Sequence, residues 1–198
     1  MNYLKSHLIE HLEIARQIDL ETIHGMVRVL SNLKKNNGRL FILGVGGSAA
    51  NASHAVNDFR KICNIEAYCP TDNVAEITAR TNDEGWEAVF RNWLIVNKLK
   101  SKDVLLFFSV GGGSIKNKIS INLIEAAKYA KGKKVKIISV IGKKEGFLRK
   151  ISNYCCVIPV VNLKNRTPHS ETFQVFVWHM LVSHPQLKIE KTLWETIR

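Results

Sequence analysis

His54 and Asp58 stand at i and i+4 in Ser48-Ala-Ala-Asn-Ala-Ser-His54-Ala-Val-Asn-Asp58. On a helix that spacing puts an imidazole and a carboxylate on one face. Toward the C-terminus, Glu171 and His179 lie on either side of Val175 and Trp178. Their separation on a helix means a rise of about 12 Å and a rotation of about 80°. They converge only by leaning toward a point between them. Together the four make a His/Asp/Glu/His set that Zn²⁺ or another divalent ion accepts. Each also fits a plain structural role, His54–Asp58 as a solvent-facing pair and His179 beside Trp178 as a satisfied core histidine. Periodicity does not bring the two helices together.

Two further segments have the chemistry of anion holders: Gly44-Val-Gly46-Gly47-Ser48 and Ser109-Val-Gly111-Gly112-Gly113-Ser114. Each leaves an apolar, strand-like run and is expected to open a helix. That geometry aims free backbone N–H groups and a positive helix terminus at a phosphate. Glycine permits close backbone approach, and serine hydroxyls add donors. Neither loop is G-x-G-x-x-G, no acidic residue ends the next strand to hold a ribose, and no Gly-Lys-Ser/Thr is present, so dinucleotide and P-loop readings are disfavoured. A small phosphorylated ligand fits better than a pair of ordinary tight turns.

The elements that must position these groups alternate. Leu4, Leu8, Leu12 and Ile14 recur at helical spacing, and Asp19 can N-cap a second helix carrying Ile23, Val27, Leu30 and Leu33. Asn36-Asn37-Gly38 ends it. Strands are expected at Leu40–Leu43, Ile65–Cys69, Val104–Ser109, Val135–Ile141 and Cys155–Val160. Helices are expected at Ser48–Lys61, Glu84–Lys98, Ser114–Ala130 and Gly146–Ile151, with a short helix or turn over Asp72–Thr81. A last helix runs from about Pro168 to Ser183. The strands read as continuous apolar runs, the mark of burial on both faces. The pattern predicts an α/β fold, a doubly wound, mostly parallel five-stranded sheet with an N-terminal helical pair. It divides the chain into N-terminal helices (1–37), an α/β core (38–184) and a tail (185–198) of a single domain.

Composition narrows the classes. The 198 residues are 45% hydrophobic and 23% charged, which excludes disorder, collagen and disulfide scaffolds. Runs such as Val104–Phe108 are far below the roughly 20 residues that cross a bilayer. The start of the chain has no continuous apolar core and already carries Glu10 and Glu13, so no signal peptide is expected. Cys63, Cys69, Cys155 and Cys156 form no C-x-x-C pair and read as reduced, buried structural thiols of a cytoplasmic protein. Lys+Arg 29 against Asp+Glu 17 leaves a formal charge of +12. The lysines cluster at Lys128–Lys136 and at Lys143, Lys144, Arg149 and Lys150 without interleaved aromatics, so solvated faces are expected rather than nucleic-acid binding.

In order along the chain, Gly44-x-Gly46-Gly47-Ser48, His54 with Asp58, Thr81-Asn82-Asp83-x-Gly85-Trp86, Val104–Ser109 with its Gly/Ser loop, and Glu171 with His179 resemble the sugar-isomerase (SIS) domain. Within it they are most similar to the phosphoheptose isomerase branch, over nearly the whole chain. The resemblance implies a flavodoxin-like three-layer fold and a cytoplasmic homotetramer with sites between subunits. It also implies a zinc or other divalent ion and conversion of sedoheptulose 7-phosphate to D-glycero-D-manno-heptose 7-phosphate for surface glycans such as lipopolysaccharide or capsule. By position it assigns His54, Asp58, Glu171 and His179 to the metal, and Asp58 and His179 to acid–base catalysis. Gly46, Gly47, Ser48, Asn82, Asp83, Ser109, Gly111, Ser114 and Glu171 fall on substrate contacts.

The chain departs from the branch pattern at four places: Asp58 where Glu is usual, Glu171 where Gln is usual, Val45 for Asn, and the phosphate loop, where Val110, Gly111 and Gly113 replace three polar side chains. The alternative implied by these losses is a non-catalytic SIS module that senses a sugar phosphate or binds a protein, as in the DnaA initiator-associating relatives.

Overall fold

The computed structural model describes residues 2–197; Met1 and Arg198 lie outside the described residues. Helix α1 spans Tyr3–Arg16 and α2 Leu20–Lys35. Each begins at a side-chain cap. Asn2 Oδ1 accepts from the Leu4 amide at 3.0 Å, and Asp19 Oδ1 accepts from the Thr22 amide at 3.1 Å. The core then runs β1 (Leu40–Leu43), α3 (Gly47–Cys63), β2 (Ala67–Tyr68), α4 (Val74–Glu84), α5 (Val89–Val96), β3 (Val104–Ser109), α6 (Ile121–Gly132), β4 (Lys136–Ile141), α7 (Phe147–Ile151), β5 (Tyr154–Val157) and α8 (Arg166–Val182).

All strand pairs are parallel, in the order β2-β1-β3-β4-β5. In register, Leu40 pairs with Val104 and Leu43 with Phe107. The chain order reverses where β1 meets β3, so the loops leaving these two strands open at the same crevice, where ligands of open α/β sheets bind. At the opposite, N-terminal end Arg39 and Asp103 lock the same two strands together. Arg39 donates its amide and guanidinium to Asp103 at 2.9 and 2.8 Å, and the Asp103 side chain is fully buried.

Apolar side chains pack on both sheet faces. One face carries Met26, Leu30, Phe59 and Trp178 from α2, α3 and α8 over Ile42, Leu106 and Val140. The other carries Phe90, Leu94, Leu123 and Ala127 from α5 and α6 over Phe41, Leu105 and Ile137. This is the doubly wound, three-layer arrangement that continuous apolar strands require.

Several expected elements differ. The Glu84–Lys98 helix is divided, because α4 runs on to Glu84 and Gly85 at φ +81° turns the chain before α5. The Ser114–Ala130 helix starts only at Ile121, since Ser114 exchanges backbone hydrogen bonds with Ile119 at 3.0 Å each way. The last strand stops at Val157, short of Pro159, which has no N–H for the ladder. The strand expected at Ile65–Cys69 shrinks to Ala67–Tyr68 before Pro70. Of the α1 apolar series, Ile14 is buried while Leu4, Leu8 and Leu12 are 68%, 67% and 60% exposed. An apolar stripe reports that a face seeks cover, not that its own chain supplies it.

Candidate active site

Helices α3 and α8 lie side by side and build the site between them. A polar clamp fixes their entry ends. Asn51 Nδ2 donates to the Glu171 carbonyl at 3.0 Å and to Gln174 Oε1 at 2.8 Å, and Gln174 Nε2 donates to Ser48 Oγ at 3.0 Å. Gln174 is fully buried and Ser48 nearly so, so the polar atoms of these two must be met from within. Further along, Trp178 Nε1 donates to Asp58 Oδ2 at 3.0 Å. The pairings of residue 48 with 174 and of 58 with 178 advance together, so the helices run in the same direction.

This alignment brings His179 to Asp58. His179 Nε2 lies 3.4 Å and His54 Nε2 3.6 Å from Asp58 Oδ2. Asp58 is buried, while the two imidazole side chains are 58% and 50% exposed for His54 and His179. The other carboxylate oxygen, Oδ1, accepts from Asn57 Nδ2 at 3.1 Å. A carboxylate fixed from below by an indole N–H thus sits under two imidazoles that face outward. One ligating atom from each of His54, Asp58 and His179 lies within 4.8 Å of the others. Two nitrogens and a carboxylate oxygen with an outward opening are a donor set suited to a catalytic zinc, which takes three protein ligands and leaves one position free.

Glu171 does not join this group. The expected four-residue set is three within one chain among the described residues, because the rise along α8 separates Glu171 from His179. Glu171 packs instead against the first loop: a Cβ added at Gly47 would lie 2.5 Å from Oε1 of Glu171. Gly46 precedes it at φ +63° and ψ −131° and N-caps α3, a backbone conformation open essentially to glycine alone.

The second loop is stitched to the start of α7 by its carbonyls, with Gly112 and Gly113 oxygens accepting from Leu148 and Phe147 amides at 2.8 and 3.0 Å. Ser109 Oγ accepts from the Gly112 amide at 3.0 Å and is buried. A side chain at Gly111 would meet nothing within 4 Å, so the loop borders open space there. Ser114 is partly exposed and its Oγ accepts from the Asn117 amide at 3.3 Å. Asn82 and Asp83 lie exposed near the end of α4, bonded to each other at 2.7 Å, and nothing joins them to the histidine cluster within one chain. Sequence reasoning missed the roles of Asn51, Gln174 and the Trp178 N–H. Their only signal was polar residues at helical spacing inside otherwise apolar faces.

Residues 4–142 match the SIS-domain family. This chain belongs to the SIS-domain family. As an SIS protein it is 26% identical over 188 residues to a phosphoheptose isomerase of Helicobacter pylori, a match covering 91% of this chain and 92% of that one. It is 33% identical over 158 residues to the lincomycin biosynthesis protein LmbN of Streptomyces lincolnensis, covering 74% of this chain but spanning only 56% of that protein's length. The SIS fold also superposes on the phosphoheptose isomerase of Neisseria gonorrhoeae with a TM-score of 0.78 at 22% identity, covering 90% and 94% of the two chains. Among the described residues no helix of this SIS protein is long and apolar enough to cross a membrane.

Proposed function

We propose that this chain is a sugar-phosphate isomerase that interconverts sedoheptulose 7-phosphate and D-glycero-D-manno-heptose 7-phosphate. The near full-length match to phosphoheptose isomerases supports the reaction class, and the observation that carries the mechanism is the buried Asp58 carboxylate between His54 and His179.

Ketose–aldose exchange moves a proton between C1 and C2 through an enediolate. One group must take the carbon-bound proton while another serves the neighbouring oxygen. Asp58 and His179, 3.4 Å apart, are close enough to act on adjacent atoms of one substrate. Asp58 Oδ2 is engaged by Trp178 and faces both imidazoles, while Oδ1 accepts only from the Asn57 side-chain amide and keeps a lone pair with which to exchange a proton. His54, Asp58 and His179 would hold the divalent ion, with zinc the best match to their chemistry. When bound, zinc supplies Lewis acidity toward a substrate carbonyl. In this reading the phosphate binds at the Ser109–Ser114 loop through the amides not already taken, since the Gly112 and Ser114 amides donate to Ser109 Oγ and the Ile119 carbonyl, with Gly46, Gly47 and Glu171 at the opposite side of the crevice. Binding the remote phosphate positions the reacting carbons.

In this reading the chain is one domain and assembles as a homotetramer. The exposed Leu4, Leu8 and Leu12 face of α1 and the outward opening of the histidine cluster support assembly, and Asn82 and Asp83 reach a site only across a subunit boundary. Four free, buried cysteines among the described residues support a cytoplasmic setting. Incubation with sedoheptulose 7-phosphate, with and without chelator and followed by NMR, tests the proposal. Aldose product that disappears in His179→Ala is expected. Tight binding of the ketose phosphate with no turnover would instead mark a sugar-phosphate sensor.

A further inference from the structure

A second group of imidazoles lies away from that site. His7 and His11 stand one turn apart on α1, and His169 comes from the first turns of α8. One ligating atom of each lies within 4.8 Å of the other two. The ring centroids are 4.5 Å apart for His7–His11, 5.2 Å for His7–His169 and 4.9 Å for His11–His169. Along α8, His169 is about 15 Å from His179 at 1.5 Å rise per residue, so the two groups are separate.

Hydrogen bonding decides which nitrogens are available. His11 Nδ1 lies 2.8 Å from the His7 carbonyl oxygen. A carbonyl only accepts, so that nitrogen carries the proton and His11 Nε2 keeps its lone pair. Among the described residues, Nδ1 of His7 and both ring nitrogens of His169 are buried without a well-aligned hydrogen-bond partner. His169 is only 2% exposed, so bulk water does not meet its need. Nε2 of His169 lies 3.0 Å from Oε2 of Glu10. That carboxylate is itself held by Asn162 Nδ2 at 2.7 Å and Asn165 Nδ2 at 2.8 Å. A carboxylate beside one nitrogen of an imidazole orients the ring and strengthens the other nitrogen as a ligand, the usual support of a metal-binding histidine.

Packing alone does not account for this convergence. Buried polar groups ordinarily find partners, yet here imidazoles from two helices, with unpartnered ring nitrogens among them, gather within 4.8 Å beside a fixed negative charge. A single cation would meet all of them. We propose that His7, His11 and His169 form a second site for a divalent transition-metal ion of the zinc type, with Glu10 orienting His169, and that the ion pins α1 to the start of α8. Zinc–nitrogen bonds of about 2.0–2.1 Å in tetrahedral geometry place ligating nitrogens about 3.3 Å apart. Small side-chain rotations from the observed spacing reach this. Three imidazoles leave a fourth position for water.

The test uses the full chain stripped of metal and titrated with Co²⁺, whose visible absorption reports ligand geometry. In a His54→Ala/His179→Ala background one equivalent of tetrahedral Co²⁺ is expected to remain. Adding His7→Gln and His11→Gln should weaken its binding at least tenfold, with the helical circular dichroism unchanged. No Co²⁺ binding in the first background, or undiminished binding in the second, overturns the proposal. A measurement free of variants is a zinc-soaked crystal of the wild-type chain. An anomalous peak between His7, His11 and His169 is expected, and a map with no peak there overturns the site. Neither readout depends on isomerase activity, so failure of the proposed reaction and failure of this site are distinguishable.

Discussion

Trp178 and Asp58 form the hinge between core and site. The indole is fully buried, packs 5.7 Å from the Phe108 ring, and still directs its N–H to Asp58 Oδ2 at 3.0 Å. The residue that anchors α8 in the apolar core therefore also aims the carboxylate at His54 and His179. A buried carboxylate is tolerated only with such partners, so packing and chemistry are coupled at this pair.

Asp58→Asn keeps an oxygen to accept from Trp178 but removes the charge and the proton-transfer capacity. Isomerase turnover should fall by about 10²–10⁴-fold, the usual share of general acid–base catalysis, while urea denaturation shifts little. A near wild-type kcat in this variant would remove Asp58 from the mechanism.

Trp178→Phe tests the hinge from the other side. The apolar volume is largely retained, but a hydrogen bond to a charged group is lost, worth about 1.5–3 kcal/mol. Thermal or urea unfolding should show a loss of that size, with kcat lowered as Asp58 loses its orientation. Unchanged stability would mean the N–H contributes nothing beyond packing.

The adjacent glycines of the first loop should behave differently. Gly46→Ala meets open space but must hold φ +63°, a strained conformation costing about 1–3 kcal/mol. Gly47→Ala places a methyl against the Glu171 carboxylate, whose flexible end can move aside. Equilibrium unfolding should register the first change strongly and the second weakly. If Glu171 contacts substrate, the second change appears in KM instead.

The apolar face of α1 gives a test of assembly. Leu8→Glu with Leu12→Glu adds charge to side chains that are 67% and 60% exposed in the single chain, so the monomer fold should persist. Light scattering should show the wild type as a tetramer and the variant as a smaller species. A wild-type monomer would refute the assembly.

Burial holds all four thiols protonated. It pushes Cys63 and Cys69 up to about 11 and Cys155 and Cys156 up to about 12. Because the folded values exceed the unfolded value of about 8.5, this contribution to stability is whole below that value. It is lost as pH rises toward the folded values. A thiol reagent at pH 7.5 should label none of the four in the native protein and all in denaturant. Rapid native labelling would contradict the burial.

Much of this architecture is legible along the chain. Strand runs that are apolar at every position require cover on both faces, and glycine-rich turns after Leu43 and Phe108 mark where the sheet can hold an anion. The i, i+4 pair His54–Asp58 is visible because a helix imposes that neighbourhood locally. What lay beyond the sequence is what depends on how one helix meets another. The parallel seating of α3 on α8 decided that His179 reaches Asp58 and that Glu171 stops at Gly47. The docking of α1 against the start of α8 decided that His7 and His11 meet His169. Periodicity specifies which face of a helix is buried, but contacts between helices distant in sequence are chosen by the packing of the whole core.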